Sequence, residues 1–370
     1  MNICLDSYGI LNLPGTFIAS YSSEITEQLS QTEYPYIVHG IIEGNRENLP
    51  FNPTSWCITP DIYLDRRNNN YQSLKSYLEE ENIKIFHSLN NGFSLPEENI
   101  CSYVSTIHSL YPLHHKEMVD NSYYKKFNSL LPKALEKSNK IIAVSPFIKK
   151  ELMNSFNIPS HKIEVIYPLL SKRMRPIPSG ECRDLLAAKY GIAGDFIYYS
   201  GNIHKSKNLM ELLRIFKDVT TKAPKVKLII SGSIGGKKEE YYKELMALIS
   251  KLSLDDRVIF TGLIPKEDMV YFYNRARCTI SLSDYDGYPL TLVEASACMT
   301  PVICLSTEIN MDVLKDTAVT CDLQKPKEIS DVISYICSSR EIRSHIINKM
   351  KPAKTGTISE YIEFYENIQK

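Results

Sequence analysis

The chain has 370 residues, which exceeds one typical core and corresponds to two domains. Its 43 basic and 43 acidic residues cancel, which argues against nucleic acid as the main partner. The nine cysteines include no CxxC pair and no metal-ligand spacing, so we expect a reducing cytoplasm and no metal. The N-terminus lacks a signal-peptide pattern, and no run approaches the roughly 18 apolar residues that span a bilayer, so any membrane contact should be peripheral.

Short runs rich in Ile, Val and Tyr alternate with helical patterns, which predicts doubly wound α/β layers with buried parallel strands. The predicted strands of the first half are Asn2–Asp6, Tyr36–Ile42, Lys84–Ser88, Val104–His108, Lys140–Val144 and Lys162–Tyr167. Those of the second half are Phe196–Ser200, Lys227–Ser231, Val258–Thr261, Cys278–Leu282 and Val302–Ser306.

Two segments between these strands show helical spacing of apolar residues. In NLMELLRIFKDV the predicted apolar face consists of Leu209, Leu212, Leu213, Phe216 and Val219. In YYKELMALISKL it consists of Tyr242, Leu245, Leu248 and Leu252.

The proline-rich polar stretch YPLLSKRMRPIPSGECRD predicts a linker between two domains. We place the domains at 1–170 and 171–350, and we expect the helix in 351–370 to cross back to the first domain. Ligands of open parallel sheets bind beyond the carboxyl ends of the strands. The default binding site is therefore the cleft between the two domains.

A polar loop with two lysines follows the predicted strand that ends near Gly201. In YYSGNIHKSKNL, Lys205 and Lys207 stand just ahead of a helix that begins near Asn208. Free N–H groups and the helix dipole favour an anion there, so a phosphate or diphosphate is the expected guest. Alternatively, the lysines are solvated loop residues and Asn208 caps the helix.

Two carboxylates, Asp286 and Glu294, flank a turn in SDYDGYPLTLVEAS, which follows another predicted strand. Gly287 allows a tight turn or a close approach to a ligand, and Pro289 suits the first turn of a helix. Glu294 falls about one turn into that helix. Such carboxylates accept paired hydrogen bonds from vicinal hydroxyls, as in the ribose contact of dinucleotide-binding folds. The alternative is a capped loop and an exposed helical glutamate.

Three further patterns are less specific. His108 follows a strand in STIHSLYPLHH and should face the same kind of crevice, although a histidine in an apolar context is also typical of a core. His114 and His115 are loop histidines without zinc-ligand spacing. The run Gly232-x-x-Gly235-Gly236 differs from GxGxxG and predicts a flexible loop before a helix rather than a nicotinamide site.

In their order, these segments resemble retaining glycosyltransferases of the GT-B fold, specifically family four. The match is strongest between 198 and 305, in YYSGNIHKSKNL, VKLIISG, LDDRVIFTGLIPKEDMVYFYNRA and DYDGYPLTLVEASACMTPVI. STIHSL and SNKIIAVSPFIKKEL are similar to the family's first-domain signatures, and NLPGTFIASY is similar to its N-terminal glycine loop. The resemblance implies two Rossmann-like domains with parallel sheets facing a central cleft, an acceptor domain first and a nucleotide-sugar donor domain second.

The resemblance also implies roles for individual residues. The family's E-x(7)-E pair falls on Asp286 and Glu294, which implies that Glu294 holds the ribose hydroxyls and Asp286 lies by the donor sugar. Lys207 matches the lysine that pairs with the diphosphate, and His108 matches a histidine close to the transferred sugar. The remaining implied donor contacts are Gly15, Gly201, Asn202, Lys205, Gly262, Leu263, Gly287, Tyr288, Leu290 and Thr291.

Three residues depart from the family pattern. Asp286 is shorter than the usual glutamate. Asn202 replaces an arginine often found beside the diphosphate, and Lys205 is expected to compensate. Pro289 replaces a glycine and removes an N–H donor. These departures imply an altered donor geometry and reduced activity.

The expected reaction is retaining transfer of a hexose from a UDP- or GDP-sugar to a glycan or lipid-linked acceptor, without metal or cofactor. By analogy the product is a bacterial surface polysaccharide, made in the cytoplasm at the inner face of the cell membrane. The segment 123–137, YYKKFNSLLPKALEK, either contacts that membrane or is a surface helix kinked at Pro132. Two other functions remain open: another nucleotide-sugar enzyme of this fold, such as an epimerase or a phosphorylase, and a catalytically silent binding subunit.

Overall fold

The structure is a computed structural model that describes residues 2–32, 37–42, 56–58, 72–234 and 239–368. Contacts divide the chain into two units, of which the first is Met1–Leu169 with Thr355–Lys370 and the second is Leu170–Lys354. The first unit thus contains two segments that are far apart in sequence, whereas the second is continuous.

The first unit contains a parallel sheet of seven strands in the order β3-β2-β1-β4-β5-β6-β7. The strands are β1 (Asn2–Asp6), β2 (Ile37–Ile42), β3 (Trp56–Ile58), β4 (Ile85–Ser88), β5 (Ser102–Ile107), β6 (Lys140–Ala143) and β7 (Ile163–Val165). The strand order reverses at β1, which lies between β2 and β4. Such a reversal opens a crevice at the carboxyl edge of a sheet.

The helices of the first unit begin with side-chain caps where the sequence supplies Ser, Thr or Asp. Thr16 Oγ1 accepts a hydrogen bond from the Ala19 N–H at 3.2 Å, and Ser145 Oγ accepts one from the Ile148 N–H at 3.3 Å. The helices are α1 (Gly9–Asn12), α2 (Phe17–Ser30), α3 (Gln72–Glu80), α4 (Tyr111–His114), α5 (Asn121–Lys137), α6 (Pro146–Phe156) and, after the second unit, α15 (Ile358–Ile368).

The last helix, α15, is attached to the first unit by buried tyrosines. Tyr361 and Tyr365 have no exposed surface. The Tyr361 hydroxyl donates to the Tyr21 hydroxyl at 3.1 Å, and the Tyr365 hydroxyl lies 2.7 Å from His87 Nδ1. His87 Nε2 in turn lies 2.7 Å from Thr106 Oγ1 on β5. A buried polar network therefore joins this helix to β4, β5 and α2.

The second unit contains a parallel sheet of six strands in the order β10-β9-β8-β11-β12-β13. The strands are β8 (Phe196–Ser200), β9 (Lys227–Ser231), β10 (Val258–Gly262), β11 (Cys278–Ser281), β12 (Val302–Leu305) and β13 (Ala318–Cys321). Its order reverses between β8 and β11, which pair directly. The loops that follow these two strands carry Lys205, Lys207 and Asp286, and the helix after the second loop carries Glu294.

The helices of the second unit are α7 (Ser179–Tyr190), α8 (Leu209–Lys222), α9 (Glu239–Lys251), α10 (Lys266–Arg275), α11 (Leu290–Ala297), α12 (Glu308–Val313), α13 (Pro326–Ser338) and α14 (Arg340–Lys349). The predicted apolar face of α8 is buried throughout. The predicted apolar face of α9 was wrong at its first residue, because Tyr241 is buried in place of Tyr242. The buried residues of this helix are Tyr241, Leu245 and Ile249. Tyr242 instead packs its ring edge-on against Phe260 at 5.0 Å between centroids.

The predicted fold class, two Rossmann-like domains built on parallel sheets, is confirmed. All eleven predicted strands occur, three of them with the predicted bounds and the others with ends that shift by one or two residues. The sequence analysis missed β3 and β13, each of which lies at an edge of its sheet. None of the helices in the described ranges is both long and apolar enough to pass through a membrane.

Candidate functional site

Three glycines join the loops that follow β8, β9 and β10. The Gly201 N–H donates to the Ser231 carbonyl at 3.0 Å, and the Gly232 N–H donates to the Gly262 carbonyl at 2.9 Å. A Cβ added to Gly232 would lie 2.1 Å from the Gly201 carbonyl oxygen, so only glycine permits this approach. Gly201 and Gly262 have φ values of +151° and +71°, which also favour glycine.

The loop after β10 offers an open apolar surface. A Cβ built on Gly262 meets nothing within 4 Å, and the side chain of Leu263 is 45% exposed. Residues 235–238, which include part of the glycine run predicted to be a loop, lie outside the described residues. Among the described residues, the exposed side chain of Leu263 therefore lies beside the open space at Gly262.

Lys207 ends a short 3-10 turn, Lys205–Lys207, ahead of α8. The next residue, Asn208, is left-handed with φ +51° and makes no side-chain cap bond. Its amide instead donates to the Leu282 carbonyl at 2.8 Å. Asn208 thus occupies the N-cap position of α8, as in the alternative interpretation, while its side chain makes no cap bond and ties the loop after β8 to the end of β11.

The two strand-end loops meet in an ion pair. Lys207 Nζ lies 2.5 Å from Asp286 Oδ1 and donates to Ser283 Oγ at 3.1 Å. The side chains of Lys207 and Asp286 are 19% and 27% exposed, so neither is freely solvated. The interpretation of Lys207 as a solvated loop lysine is wrong for this reason.

Lys205 lies apart from this pair. Its ammonium is 3.0 Å from Glu244 Oε1 and 5.7 Å from the centre of the Tyr241 ring, both on α9. Asn202, which replaces the family arginine, accepts a hydrogen bond at its carbonyl from the Tyr199 hydroxyl at 2.8 Å. Lys205, which was expected to compensate for Asn202, is therefore paired with Glu244 on α9, whereas Lys207 is paired with Asp286.

The loop between Asp286 and α11 is fixed by internal hydrogen bonds. Gly287 is buried and is not among the described glycines with positive φ, so its predicted tight turn does not use the left-handed region. The Tyr288 hydroxyl donates to the Lys354 carbonyl at 2.6 Å, and the Leu290 N–H donates to the Tyr288 carbonyl at 3.0 Å. The Leu290 N–H, at a residue that the resemblance assigns to the donor, is thus engaged within the loop in this structure.

The N–H groups of the first turn of α11 are mostly occupied. Those of Leu292 and Val293 donate to the Pro289 carbonyl at 3.0 and 3.1 Å. Together with the bond made by Leu290, this leaves the Thr291 N–H as the first-turn donor available to an anion among these described residues.

Glu294 is buried on α11 with only 4% of its surface exposed. Its Oε2 accepts a hydrogen bond from the hydroxyl of Tyr273, on α10, at 2.9 Å. Burial, and the nearby charge of Glu294, hold the pKa of Tyr273 well above its ordinary range, so the phenol stays protonated and donates. The interpretation of Glu294 as an exposed helical glutamate is wrong.

His108, in the first unit, is buried directly after β5 with 3% of its surface exposed. Its Nε2 donates to the Leu89 carbonyl at 2.7 Å, while Nδ1 is buried and has no partner among the described residues. The rings of Phe17 and Tyr21 contact it edge-on at 5.2 and 4.8 Å. Burial lowers the pKa of His108 to about 4, so it is neutral at pH 7.

Gly15 occupies the turn between α1 and α2, directly before the capping Thr16, with φ +71°. It is exposed. Of the two histidines predicted in a loop, His114 instead ends α4 and lies 2.6 Å from Glu151, and His115 stacks on Tyr111. Within the described ranges, no group of three or more His, Cys, Asp or Glu residues is arranged to hold a metal ion.

The comparison with family models covers both units. The model of glycosyltransferase family 4 matches residues 36–170, and that of glycosyl transferases group 1 matches residues 187–352. The two matches follow one another in chain order and together cover most of the protein. The chain belongs to the family-four, group 1 glycosyltransferases.

Individual relatives agree with this assignment. The O-antigen chain mannosyltransferase B of Escherichia coli is 25% identical over 257 residues, which is 69% of this chain and 65% of that protein. The alpha-monoglucosyldiacylglycerol synthase of Streptococcus pneumoniae is 31% identical over 159 residues, 42% of this chain and 35% of that one. The matches thus span less than two thirds of the length of these curated relatives.

A solved structure shows the same fold over the whole length. Anabaena HepE, crystallised with UDP and glucose, has a TM-score of 0.76 and 14% sequence identity, and the match covers 99% of both chains. At this identity the likeness establishes the GT-B fold and nothing about the reaction.

The sequence analysis did not anticipate Tyr273 or Ser283 in the site. Tyr273 contacts a residue 21 positions away on another helix, and nothing in its local pattern marks that contact. Ser283 lies two residues after the end of β11 and before Asp286. Its position beyond a strand end could therefore have indicated that it belongs to the site.

Proposed function

We propose that the protein is a retaining glycosyltransferase that moves a hexose from a UDP- or GDP-sugar to a glycan or lipid-linked acceptor. The observation that carries the proposal is the arrangement at the carboxyl edge of the second sheet. There the Lys207–Asp286 ion pair, 2.5 Å long, lies at the reversal of strand order, and the helix that follows carries the buried Glu294. Family membership supports it, and HepE, which shares the fold, binds UDP and glucose.

Recognition of the nucleotide is assigned to the buried carboxylate and the open loop. A carboxylate accepts two hydrogen bonds from vicinal hydroxyls, and Glu294 is held in place by Tyr273. The exposed Leu263 beside Gly262 suits the face of a base. The residue chemistry therefore favours a nucleoside whose ribose meets Glu294.

The diphosphate is assigned to Lys207 and the Thr291 N–H at the start of α11. Departure of the sugar leaves negative charge on the diphosphate, and fixed positive groups stabilise that charge in the transition state. Asp286 already neutralises part of the lysine charge, so the diphosphate must share Lys207 with this carboxylate. Asp286 itself is assigned to the sugar hydroxyls.

The acceptor attacks from the face that the diphosphate leaves, and the leaving phosphate takes the acceptor proton, so no metal or cofactor takes part in the proposed reaction. The family assigns His108 to the transferred sugar. Both of its ring nitrogens are buried in this structure, so such a contact requires movement of the residues that cover them.

A bacterial surface polysaccharide is the proposed product, since the E. coli relative is an O-antigen chain mannosyltransferase. For a lipid-linked acceptor, the proposed membrane contact is the outer face of α5. Tyr123 is 42% exposed there, beside the exposed Lys125 and Lys126, while Phe127 and Leu131 are buried. Co-sedimentation with anionic vesicles should be lost in the double variant Lys125→Glu, Lys126→Glu; retention would exclude this surface.

The proposal is tested by incubating the protein with UDP-, GDP- and dTDP-sugars and a set of glycan acceptors. Transfer or slow donor hydrolysis is expected, with the anomeric configuration of the product retained when followed by NMR. Inversion would overturn the retaining mechanism. Binding of a nucleotide without turnover would support a silent binding subunit, a function favoured by Asn202 and by the occupied Lys207.

A further inference from the structure

We propose that Tyr273 is a positioning residue for the nucleotide: its hydroxyl fixes the carboxylate of Glu294 so that this group receives the two ribose hydroxyls as a pair. The inference rests on the proposed function, in which Glu294 binds ribose. Tyr273 does not touch the nucleotide in this proposal, and it acts only through Glu294.

The contact joins two buried groups on different helices. Tyr273 lies on α10 with no exposed surface, and its hydroxyl is 2.9 Å from Oε2 of Glu294, which is 4% exposed on α11. A carboxylate accepts several hydrogen bonds, so the bond from Tyr273 restrains the group without using all of its acceptor capacity. A glutamate side chain has three rotatable bonds, and this bond restricts the last of them.

Tyr273 is itself held firmly. Its carbonyl accepts a hydrogen bond from Thr300 Oγ1 at 2.6 Å, and its ring packs edge-on against Tyr198 at 5.4 Å between centroids. Both ends of the residue are therefore fixed before any ligand arrives. Because the hydroxyl keeps its proton throughout the neutral range, it acts only as a donor towards Glu294.

Preorganisation is the physical reason for an effect on affinity. A mobile carboxylate must be ordered when the ribose binds, and that ordering opposes binding. A ribose whose two hydroxyls bind one carboxylate should lose more affinity than a 2′-deoxyribose when that carboxylate is free to rotate. The inference thus concerns selectivity for a ribose with both hydroxyls, in addition to affinity.

A purely structural role for the same bond is the competing explanation. In that case the phenol would only satisfy a buried carboxylate and link α10 to α11, and its loss would lower stability or weaken all nucleotides equally. Ribose selectivity separates the two explanations, because a structural defect does not distinguish a ribose from a 2′-deoxyribose.

The test measures binding of UDP, GDP and their 2′-deoxy forms by calorimetry to the full chain and to Tyr273→Phe. The matched control is Tyr198→Phe, since Tyr198 is buried in the same aromatic cluster and contacts Tyr273 through its ring, which phenylalanine retains. For the nucleotide that the wild type binds, Tyr273→Phe should raise Kd about 10-fold and abolish the preference for ribose. Tyr198→Phe should retain both the affinity and the preference.

Equal weakening of the ribose and deoxyribose forms in Tyr273→Phe, or unchanged binding of both, would overturn the inference. In a Glu294→Ala background, Tyr273→Phe should have no further effect, and an additive loss would also overturn it. Should Tyr273→Phe fail to fold, Glu294→Asp moves the carboxylate away from the phenol, and full ribose preference in that variant overturns the inference. If the wild type binds no nucleoside diphosphate, the proposed function fails first and this inference fails with it.

Discussion

Lys207 and Asp286 form an ion pair across the loops that follow two neighbouring strands, with 2.5 Å between Nζ and Oδ1. Because β8 and β11 are adjacent, their carboxyl ends bring these two residues together although they are 79 positions apart in sequence. The lysine assigned to the diphosphate is therefore already engaged by the carboxylate assigned to the sugar. A donor that binds here must therefore contact the ion pair of Lys207 and Asp286 rather than a lysine without a partner.

Replacing Asp286 with asparagine should separate these two roles. The lysine loses a competing partner, so UDP or GDP should bind about 5-fold tighter, in line with about 1 kcal/mol for a partly exposed ion pair. Sugar transfer should become at least about 10-fold slower, because a hydrogen-bond acceptor for the sugar is changed. Calorimetry and initial rates measure the two effects.

The control for this variant is Asp284→Asn, which removes an exposed carboxylate two residues earlier in the same loop. It should leave both binding and transfer unchanged. If Asp284→Asn tightened nucleotide binding as much as Asp286→Asn, the effect would come from the net charge of the loop rather than from the ion pair.

The two lysines of the 3-10 turn should behave differently on removal. Lys207→Ala should lower kcat by about 100-fold, as expected for loss of a fixed charge near a leaving group. Lys205→Ala should change kcat less than about 2-fold, because Lys205 is paired with Glu244, and such exposed pairs contribute little. Steady-state kinetics at saturating donor measure kcat for both variants. A similar decrease in kcat in both would count against the roles assigned to the two lysines.

The glycine contact at the strand ends predicts a large effect on stability. Gly232→Ala places a Cβ 2.1 Å from the Gly201 carbonyl oxygen, where the neighbour is backbone and cannot rotate away. The free energy of unfolding should fall by about 3 kcal/mol. Thermal unfolding followed by circular dichroism measures this loss. The control, Gly180→Ala on α7, meets nothing within 4 Å and should keep or raise the stability.

Two buried histidines predict acid sensitivity of the first unit. Burial lowers the pKa of His87 to about 3 and that of His108 to about 4, from 6.5. In the unfolded chain they take up protons below about pH 6.5, whereas the folded unit keeps them neutral, so stability is complete above that pH and falls as the pH drops. The slope should be about 1.4 kcal/mol per pH unit for each histidine until the folded-state pKa is reached.

The single tryptophan of the chain reports this transition selectively. Trp56 belongs to β3 of the first sheet, so its fluorescence during urea unfolding at pH 7 to 5 follows that unit. His161→Gln, which changes an exposed histidine of the same unit, should keep the slope. A stability independent of pH in this range would show that His87 and His108 are not buried as described.

Local sequence predicted every central strand of both sheets and two of the four edge strands, β7 and β10, but missed the edge strands β3 and β13. β13 is the last strand of its sheet, and its residues are only partly buried, so the sequence AVTC needs no long apolar run. β3 has three residues at the corresponding edge of the first sheet. An edge strand pairs its backbone on one side and buries less surface, so short edge strands such as β3 and β13 need not show the pattern that marks a central strand.

The residue types of the site could be predicted, but their partners could not. The position of Lys207 and Asp286 beyond strand ends followed from the alternation of strands and helices. Their pairing depends on which strands are adjacent, and this is a property of the whole sheet. The burial of Glu294 was also hidden, because α11 is buried on most of its surface and shows no polar face that would orient the residue.

The discontinuous first unit has a consequence for synthesis. Its sheet is complete once the ribosome has passed Leu169, but α15 emerges only after the whole second unit. Until then Tyr21 and His87 lack the tyrosine hydroxyls that they contact in the finished protein. The second unit, which is continuous, can therefore complete its folding first, the reverse of the usual order in which the N-terminal domain of a nascent chain folds ahead of the next.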